Sequence, residues 1–146
     1  MLEVIDEVCD SLKNAMMRKS ITVIRPNVES SPILATKPYV YSVFHNIIEN
    51  AVKYSDMNKS ERIIRIALSE SGGYYSASIT DNGIGIDMEA ASGKVFQMYQ
   101  RFNNTHPGHG FGLFLVKSQM EAMGGKIELD SILGQGTTFT LYFPKR

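Results

Sequence analysis

Six apolar residues, Val40, Val43, Phe44, Ile47, Ile48 and Ala51, fall at i, i+3, i+4, i+7, i+8 and i+11, the series that lines one buried face of an α-helix. Pro38 fits the first turn of that helix, where a missing amide donor is tolerated. A stripe this regular requires a second layer to cover it, so the helix is expected at the centre of the packing. Alternating segments supply that layer. Ile64, Ile66 and Leu68 alternate with Arg65 and Ala67, and Ser71-Gly72-Gly73 offers a turn. The run that follows places Tyr75, Ala77 and Ile79 on one face and Ser76, Ser78 and Thr80 on the other. The pattern predicts a β-hairpin.

Residues 2–18 carry Val4, Ile5, Val8, Leu12, Ala15 and Met16 at helical spacing, with acids early and Lys13, Arg18 and Lys19 late, which suits the helix dipole. Ile21–Ile24 and Ile33–Ala35, each bounded by proline, read as two short strands. A third helix is expected from about Phe111 to Met123, stopped by Gly124-Gly125, and then strands over Lys126–Asp130 and Thr137–Phe143. Residues 87–109 show no sustained period, and a loop that long in a compact domain reads as a mobile lid, about 94–110. The order α-β-β-α-β-β-lid-α-β-β implies one α+β domain over residues 1–146. Its architecture is a two-layer sandwich with helices on one face of a mixed, mostly antiparallel sheet.

At 146 residues and 43% apolar content the chain can bury one real core. Its 15 basic and 15 acidic residues cancel, so no bulk field draws it to nucleic acid or anionic lipid, and any phosphate recognition must be local. A lone Cys9 excludes an internal disulfide framework. It lies on the apolar side of the first helix with no basic neighbour to activate it. No run approaches the roughly 20 apolar residues of a membrane span, and Glu3, Asp6, Glu7 and Asp10 occupy the place where a signal peptide would be apolar. The expected setting is the cytoplasm, without membrane contact by this domain itself.

Four polar or glycine-rich segments punctuate this framework: Asn46-Ile-Ile-Glu-Asn50-Ala-Val-Lys53-Tyr54, Asp81-Asn-Gly83-Ile-Gly85-Ile86, Gly108-His-Gly110-Phe-Gly112-Leu113 and Gly134-Gln-Gly136-Thr137-Thr-Phe139. On a helix Asn46, Asn50 and Lys53 lie within about 60° of one another, at the border of the apolar stripe. Taken alone, the stripe suits a solvated face with one local hydrogen bond. In the context of the other segments it also suits a carboxamide ligand for magnesium with an ammonium one turn on as phosphate countercharge. Asp81-Asn82-Gly83 alone is an ordinary tight turn. With Gly85 and Ile86 added, it lets backbone approach a flat ligand while the carboxylate accepts a hydrogen bond from an exocyclic amine, as adenine offers. The glycines 108, 110 and 112 entering a helix have the geometry for anion binding. Together the segments read as an ATP site.

Competing readings of these segments lack a necessary part. A dinucleotide-binding turn must be entered from a buried parallel strand, and Tyr99-Gln-Arg-Phe-Asn-Asn-Thr-His-Pro107 is too polar to be one. A P-loop needs Gly-Lys-Ser or Gly-Lys-Thr, and neither occurs. His45, His106 and His109 have no metal-ligand spacing and are read as non-ligands. Phe96, Tyr99 and Phe102 suit either anchors that seat the lid or ordinary core packing.

Taken in order, the segments resemble the N, G1, F, G2 and G3 boxes of the catalytic and ATP-binding domain of two-component sensor histidine kinases. That superfamily also holds gyrase, MutL and a heat-shock chaperone. The resemblance covers roughly residues 1–144 and implies the Bergerat fold. It implies that Asn50 coordinates Mg2+, that Asn46 and Lys53 approach the phosphates, that Tyr54 lies against adenine and that Asp81 binds the adenine amine, with Gly83, Gly85 and Ile86 shaping that pocket. Phe96-Gln-Met-Tyr99-Gln-Arg101-Phe102 looks like the F box, with Arg101 a γ-phosphate contact. Gly108, Gly110, Gly112 and Leu113 would belong to the phosphate lid, and Thr137 would support the adenine end through Asp81 or a water. The implied catalytic residues are Asn46, Lys53 and Arg101.

Two departures refine the expectation. Hydrolysing members of the superfamily carry Glu four residues before the metal Asn; here Asn46 stands there, which favours phosphoryl transfer over ATP hydrolysis. The dimerisation hairpin that carries the acceptor histidine is not found in this sequence. The expected activity is therefore delivery of the γ-phosphate of Mg-ATP to a histidine on a separate dimerisation domain, with a response regulator downstream. A serine kinase of the anti-sigma type acting on a partner, and a non-catalytic ATP-sensing module, are the alternatives.

Overall fold

The computed structural model describes residues 1–25, 33–90 and 112–145. In chain order the elements are α1 (Leu2–Ser11), α2 (Lys13–Arg18), β1 (Ile21–Ile24), α3 (Lys37–Lys53), β2 (Arg62–Ser71), β3 (Tyr74–Asp81), α4 (Gly112–Ala122), β4 (Lys126–Ile132) and β5 (Gly136–Pro144). The strands form one sheet in the order β1-β2-β3-β5-β4. β1 runs parallel to β2, and every other pair is antiparallel. This is the expected mixed, mostly antiparallel sheet under a helical layer.

The predicted stripe of α3 is buried in full, joined by Val52. Phe44 is completely enclosed and stacks on Phe143 of β5 with ring centroids 6.1 Å apart. Ile64 and Ile66 of β2, Ala77 and Ile79 of β3, and Phe139 and Leu141 of β5 complete the sheet side of one continuous core, and α1, α3 and α4 supply the other side. The hairpin forms as predicted: Ser71 pairs with Tyr74 across Gly72-Gly73, so the strands stay in register along their length.

Two expectations change. Residues 33–35 do not make a strand; Ile33 forms a single bridge to Lys145, and the Leu34 amide reaches the Pro144 carbonyl. Three residues followed at once by a helix start are too few to build a ladder. The first helix is broken at Leu12 into α1 and α2. The Ser11 hydroxyl donates to the Val8 carbonyl at 2.8 Å, the same oxygen that accepts the Leu12 amide, and such back-bonding bends helices. The apolar face continues across the break, with Leu12 and Met16 both buried.

Candidate functional site

α3 ends against the site, and donors from distant parts of the chain reach the carbonyls of Val52, Lys53 and Tyr54. Lys19 Nζ donates to the carbonyls of Val52 and Lys53 at 2.9 and 3.3 Å. Ser55 Oγ also donates to Val52, and the Ile84 amide donates to the Tyr54 carbonyl at 3.0 Å. A cation at a helix C-terminus is electrostatically favoured, although burial lowers the Lys19 pKa. These bonds fix the polar stripe of α3 relative to the turn after β3.

On that stripe Asn46 Nδ2 donates to the Ser42 carbonyl at 2.8 Å, which turns its carboxamide oxygen toward Gly112, the first residue of α4. A methyl group at Gly112 would lie 3.3 Å from that oxygen. The structure therefore brings Asn46 to the start of α4, two segments 66 positions apart in number. Leu113 packs against the core. The Asn50 side chain has no hydrogen-bond partner among the described residues, while its main-chain carbonyl accepts the Tyr54 amide. Lys53 lies 2.7 Å from Glu49 Oε1, and Glu49 Oε2 lies 3.3 Å from His45 Nδ1, so Glu49 bridges two residues of its own helix. His45 also stacks on Tyr41.

Asp81 ends β3 opposite Thr137 of β5. Its Oδ1 accepts the Gly83 amide at 2.9 Å, and the Thr137 amide also donates to the carboxylate. Burial raises its pKa from 3.8 to about 6, against the opposing pull of those two amides and of the Lys59 charge. No ion pair to Asp81 occurs among the described residues. Asp81 lines a narrow cleft together with Ala51, Ser55 and Ile64.

The two glycines after Asp81 allow the turn to nest. Gly83 is buried, and a Cβ there would collide with the Tyr54 carbonyl. Gly85 takes φ +72, and a Cβ there would strike the Ile132 carbonyl; only glycine meets both demands without strain. Further cross-links lock this turn to the one before β5. Ser131 Oγ accepts the Ile86 amide, donates to the Gly136 carbonyl and shares a hydrogen bond with Thr137 Oγ1, each at 2.8 Å. The Gly134 amide donates to the Ile84 carbonyl at 2.7 Å. Thr137 thus meets Asp81 through its main chain and Ser131 through its side chain.

Asn46, Asn50, Lys53, Tyr54, Asp81, Gly83, Gly85, Ile86, Gly112, Leu113 and Thr137 all lie on these adjoining elements. Arg101, Gly108, Gly110, His106, His109, the residues 96–102 and the lid at 94–110 lie outside the described residues. Two residues were missed by sequence reasoning. Ser131 precedes the second glycine turn and has the hydroxyl that a turn-bracing residue needs, so its position was readable. Lys59 sits in an unremarkable polar loop, and its partners are distant in sequence. Among the described residues no three His, Cys, Asp or Glu side chains converge on a common point, and no helix is long and apolar enough to cross a membrane.

A half-buried acid at a sheet end, two nested glycine turns and a carboxamide-bearing helix meet at one edge of this two-layer sandwich. Residues 36–146 match the family described as histidine kinase-, DNA gyrase B-, and HSP90-like ATPase, and the chain belongs to that family. It is 29% identical over 123 residues to the heme sensor protein HssS of Staphylococcus saprophyticus, covering 84% of this chain and 26% of that protein. It is 30% identical over 145 residues to the phytochrome-like protein Cph1 of Synechocystis, covering 97% of this chain and 19% of that one. The solved structure of the mycobacterial sensor histidine kinase MprB superposes with a TM-score of 0.80 at 25% identity, over 99% of this chain and 95% of that one. The chain thus spans about a quarter or less of these two curated relatives.

Proposed function

We propose that this domain binds Mg-ATP and presents the γ-phosphate to a histidine on a separate dimerisation domain, in a two-component signalling kinase whose product passes to a response regulator. The observation that carries the reading is Asp81. A half-buried carboxylate with no ion pair among the described residues, held by the Gly83 and Thr137 amides, is an unfavourable arrangement for folding alone, and perturbed acids in clefts mark functional sites. With a pKa of about 6 it is mostly ionised at neutral pH and can accept the adenine amine.

The remaining roles follow from position. Tyr54, Ile86, Gly83 and Gly85 shape the adenine end, and Thr137 supports Asp81. The Asn50 carboxamide, which has no hydrogen-bond partner among the described residues, is a hard oxygen donor that would hold Mg2+, and the ion would supply charge neutralisation for the phosphates. Asn46 stands beside Gly112, where the amides at the start of α4 would meet phosphate oxygens. Lys53 would exchange Glu49 for a phosphate, and Arg101 and the glycines 108 and 110 would complete the phosphate contacts. Asn46 cannot act as a base for water, so the contribution of the domain is positioning and electrostatics.

The test is phosphotransfer from γ-labelled ATP in the full-length parent protein. An acid-labile, base-stable phosphate on a histidine outside residues 1–146 supports the reading. Acid-stable label on a partner serine would favour the anti-sigma type of kinase, and binding without transfer would favour a sensing module.

A further inference from the structure

Lys59 occupies a position that its local sequence does not advertise. The Asp56 side chain accepts the Asn58 amide at 3.0 Å and the Asp56 carbonyl accepts the Lys59 amide at 3.1 Å, which curls the loop after α3 into a tight turn. Arg62 Nη1 holds the Lys59 carbonyl at 2.8 Å while its Nε holds the Lys19 carbonyl at 2.6 Å. Lys59 is thus anchored at its main chain, and its half-buried side chain extends into the site. There Nζ meets the carbonyls of Asn82 at 2.7 Å, Gly83 at 3.4 Å and Gln135 at 3.4 Å. The first two belong to the turn after Asp81, the third to the turn before Thr137.

We infer that Lys59 is a positioning residue for base recognition: its ammonium ties the Asn82-Gly83 turn to the Gln135 turn and so fixes the Asp81 carboxylate in the orientation that reads an amino-substituted purine. The inference rests on the nucleotide reading above. The two amides that hold Asp81 come from Gly83 and Thr137, one on each side of the Lys59 clamp. If the turns part, the amides part with them, and the carboxylate loses the geometry on which a directional hydrogen bond depends. An ammonium donating to three carbonyls is suited to this task. It has three donors and no acceptor, and charge-assisted hydrogen bonds are the stronger kind. The Lys59 charge also acts on Asp81 in the sense that favours its ionised form.

The discriminating measurement compares ATP with ITP, whose base carries an oxo group in place of the six-amino group, by calorimetry on the 146-residue chain and on Lys59→Met and Lys59→Arg. Methionine keeps an unbranched stem and removes the donors; arginine keeps charge and donors. The parent chain should prefer ATP by about tenfold or more, since a site built around a hydrogen-bonding group rejects analogues that lack it. In Lys59→Met the ATP affinity should fall about tenfold while ITP changes little, bringing the two nucleotides within about threefold of each other. Lys59→Arg should recover part of the preference. A variant that has merely lost stability would lose both nucleotides together, and that outcome overturns the inference. So does a Lys59→Met chain that retains the full preference for ATP. A parent chain that does not distinguish ATP from ITP would overturn the adenine reading itself and the Lys59 role with it.

Discussion

Asp81→Asn should make the empty domain more stable and the nucleotide complex weaker. Burial holds the Asp81 pKa at about 6 where an unfolded chain would have 3.8, and at about 1.36 kcal/mol per pKa unit the difference corresponds to about 3 kcal/mol at neutral pH. The sign follows from proton linkage. The folded state binds the proton more tightly than the unfolded chain, so this group imposes no penalty below the unfolded value. Stability is lost as pH rises from 3.8 toward 6, and the penalty persists above that. Asparagine retains an oxygen to accept the Gly83 and Thr137 amides and carries no charge to desolvate. Urea unfolding of the parent and variant at several pH values reads the effect directly. The variant should be ahead by about 1 kcal/mol at pH 4.5 and about 3 kcal/mol at pH 7. ATP affinity measured on the same samples should fall by about 1–3 kcal/mol, as the adenine amine loses its ionised acceptor. A stability gap that does not change with pH, or a variant less stable than the parent at pH 7, would refute the assignment of Asp81 as a buried charge retained for binding.

Three further outcomes are expected. Asn50→Asp keeps the side-chain size and adds charge at the proposed metal position, so the dependence of ATP affinity on Mg2+ should differ strongly from that of the parent; identical titrations would remove Asn50 from the metal. Gly85→Ala combines a left-handed backbone at φ +72 with a clash against the Ile132 carbonyl and should lower unfolding free energy by about 2–4 kcal/mol, seen as a reduced denaturant midpoint. The 146-residue chain incubated with labelled ATP should gain no stoichiometric acid-labile phosphate and release phosphate only slowly; label on His45, His106 or His109 would contradict a separate acceptor.

The helix at the centre of the fold and the hairpin beside it were legible because each burial pattern is local and periodic: the stripe recurs from Val40 to Ala51 within the 17 residues of α3, and the Gly72-Gly73 turn sits between two alternating runs. What escaped the sequence depends on length or on distant partners. Residues 33–35 have strand-like side chains but too little chain before Thr36 to pair along a sheet. The break at Leu12 comes from one hydroxyl, Ser11, competing for one carbonyl, against an apolar pattern that runs straight through it. In the candidate site, Asn46, Asn50, Asp81 and the glycines each have an ordinary structural reading, and it is their order and spacing together that announce chemistry. The Glu49 bridge to Lys53 and His45 follows from helical spacing and was readable in principle. Lys59 was not, because its carbonyl partners at 82, 83 and 135 come together only through the sheet.

The donors that hold Asp81 have a consequence for mutational escape. Both are main-chain amides, present whatever side chain the neighbouring codons specify. The Gly83 and Gly85 positions are closed to substitution by the carbonyls packed against them. A competitive inhibitor that addresses this carboxylate through an amino group would therefore face few routes to resistance in the surrounding turn. The direct one is replacement of Asp81 itself, and under the proposed function that change would remove the recognition of the natural nucleotide along with that of the drug.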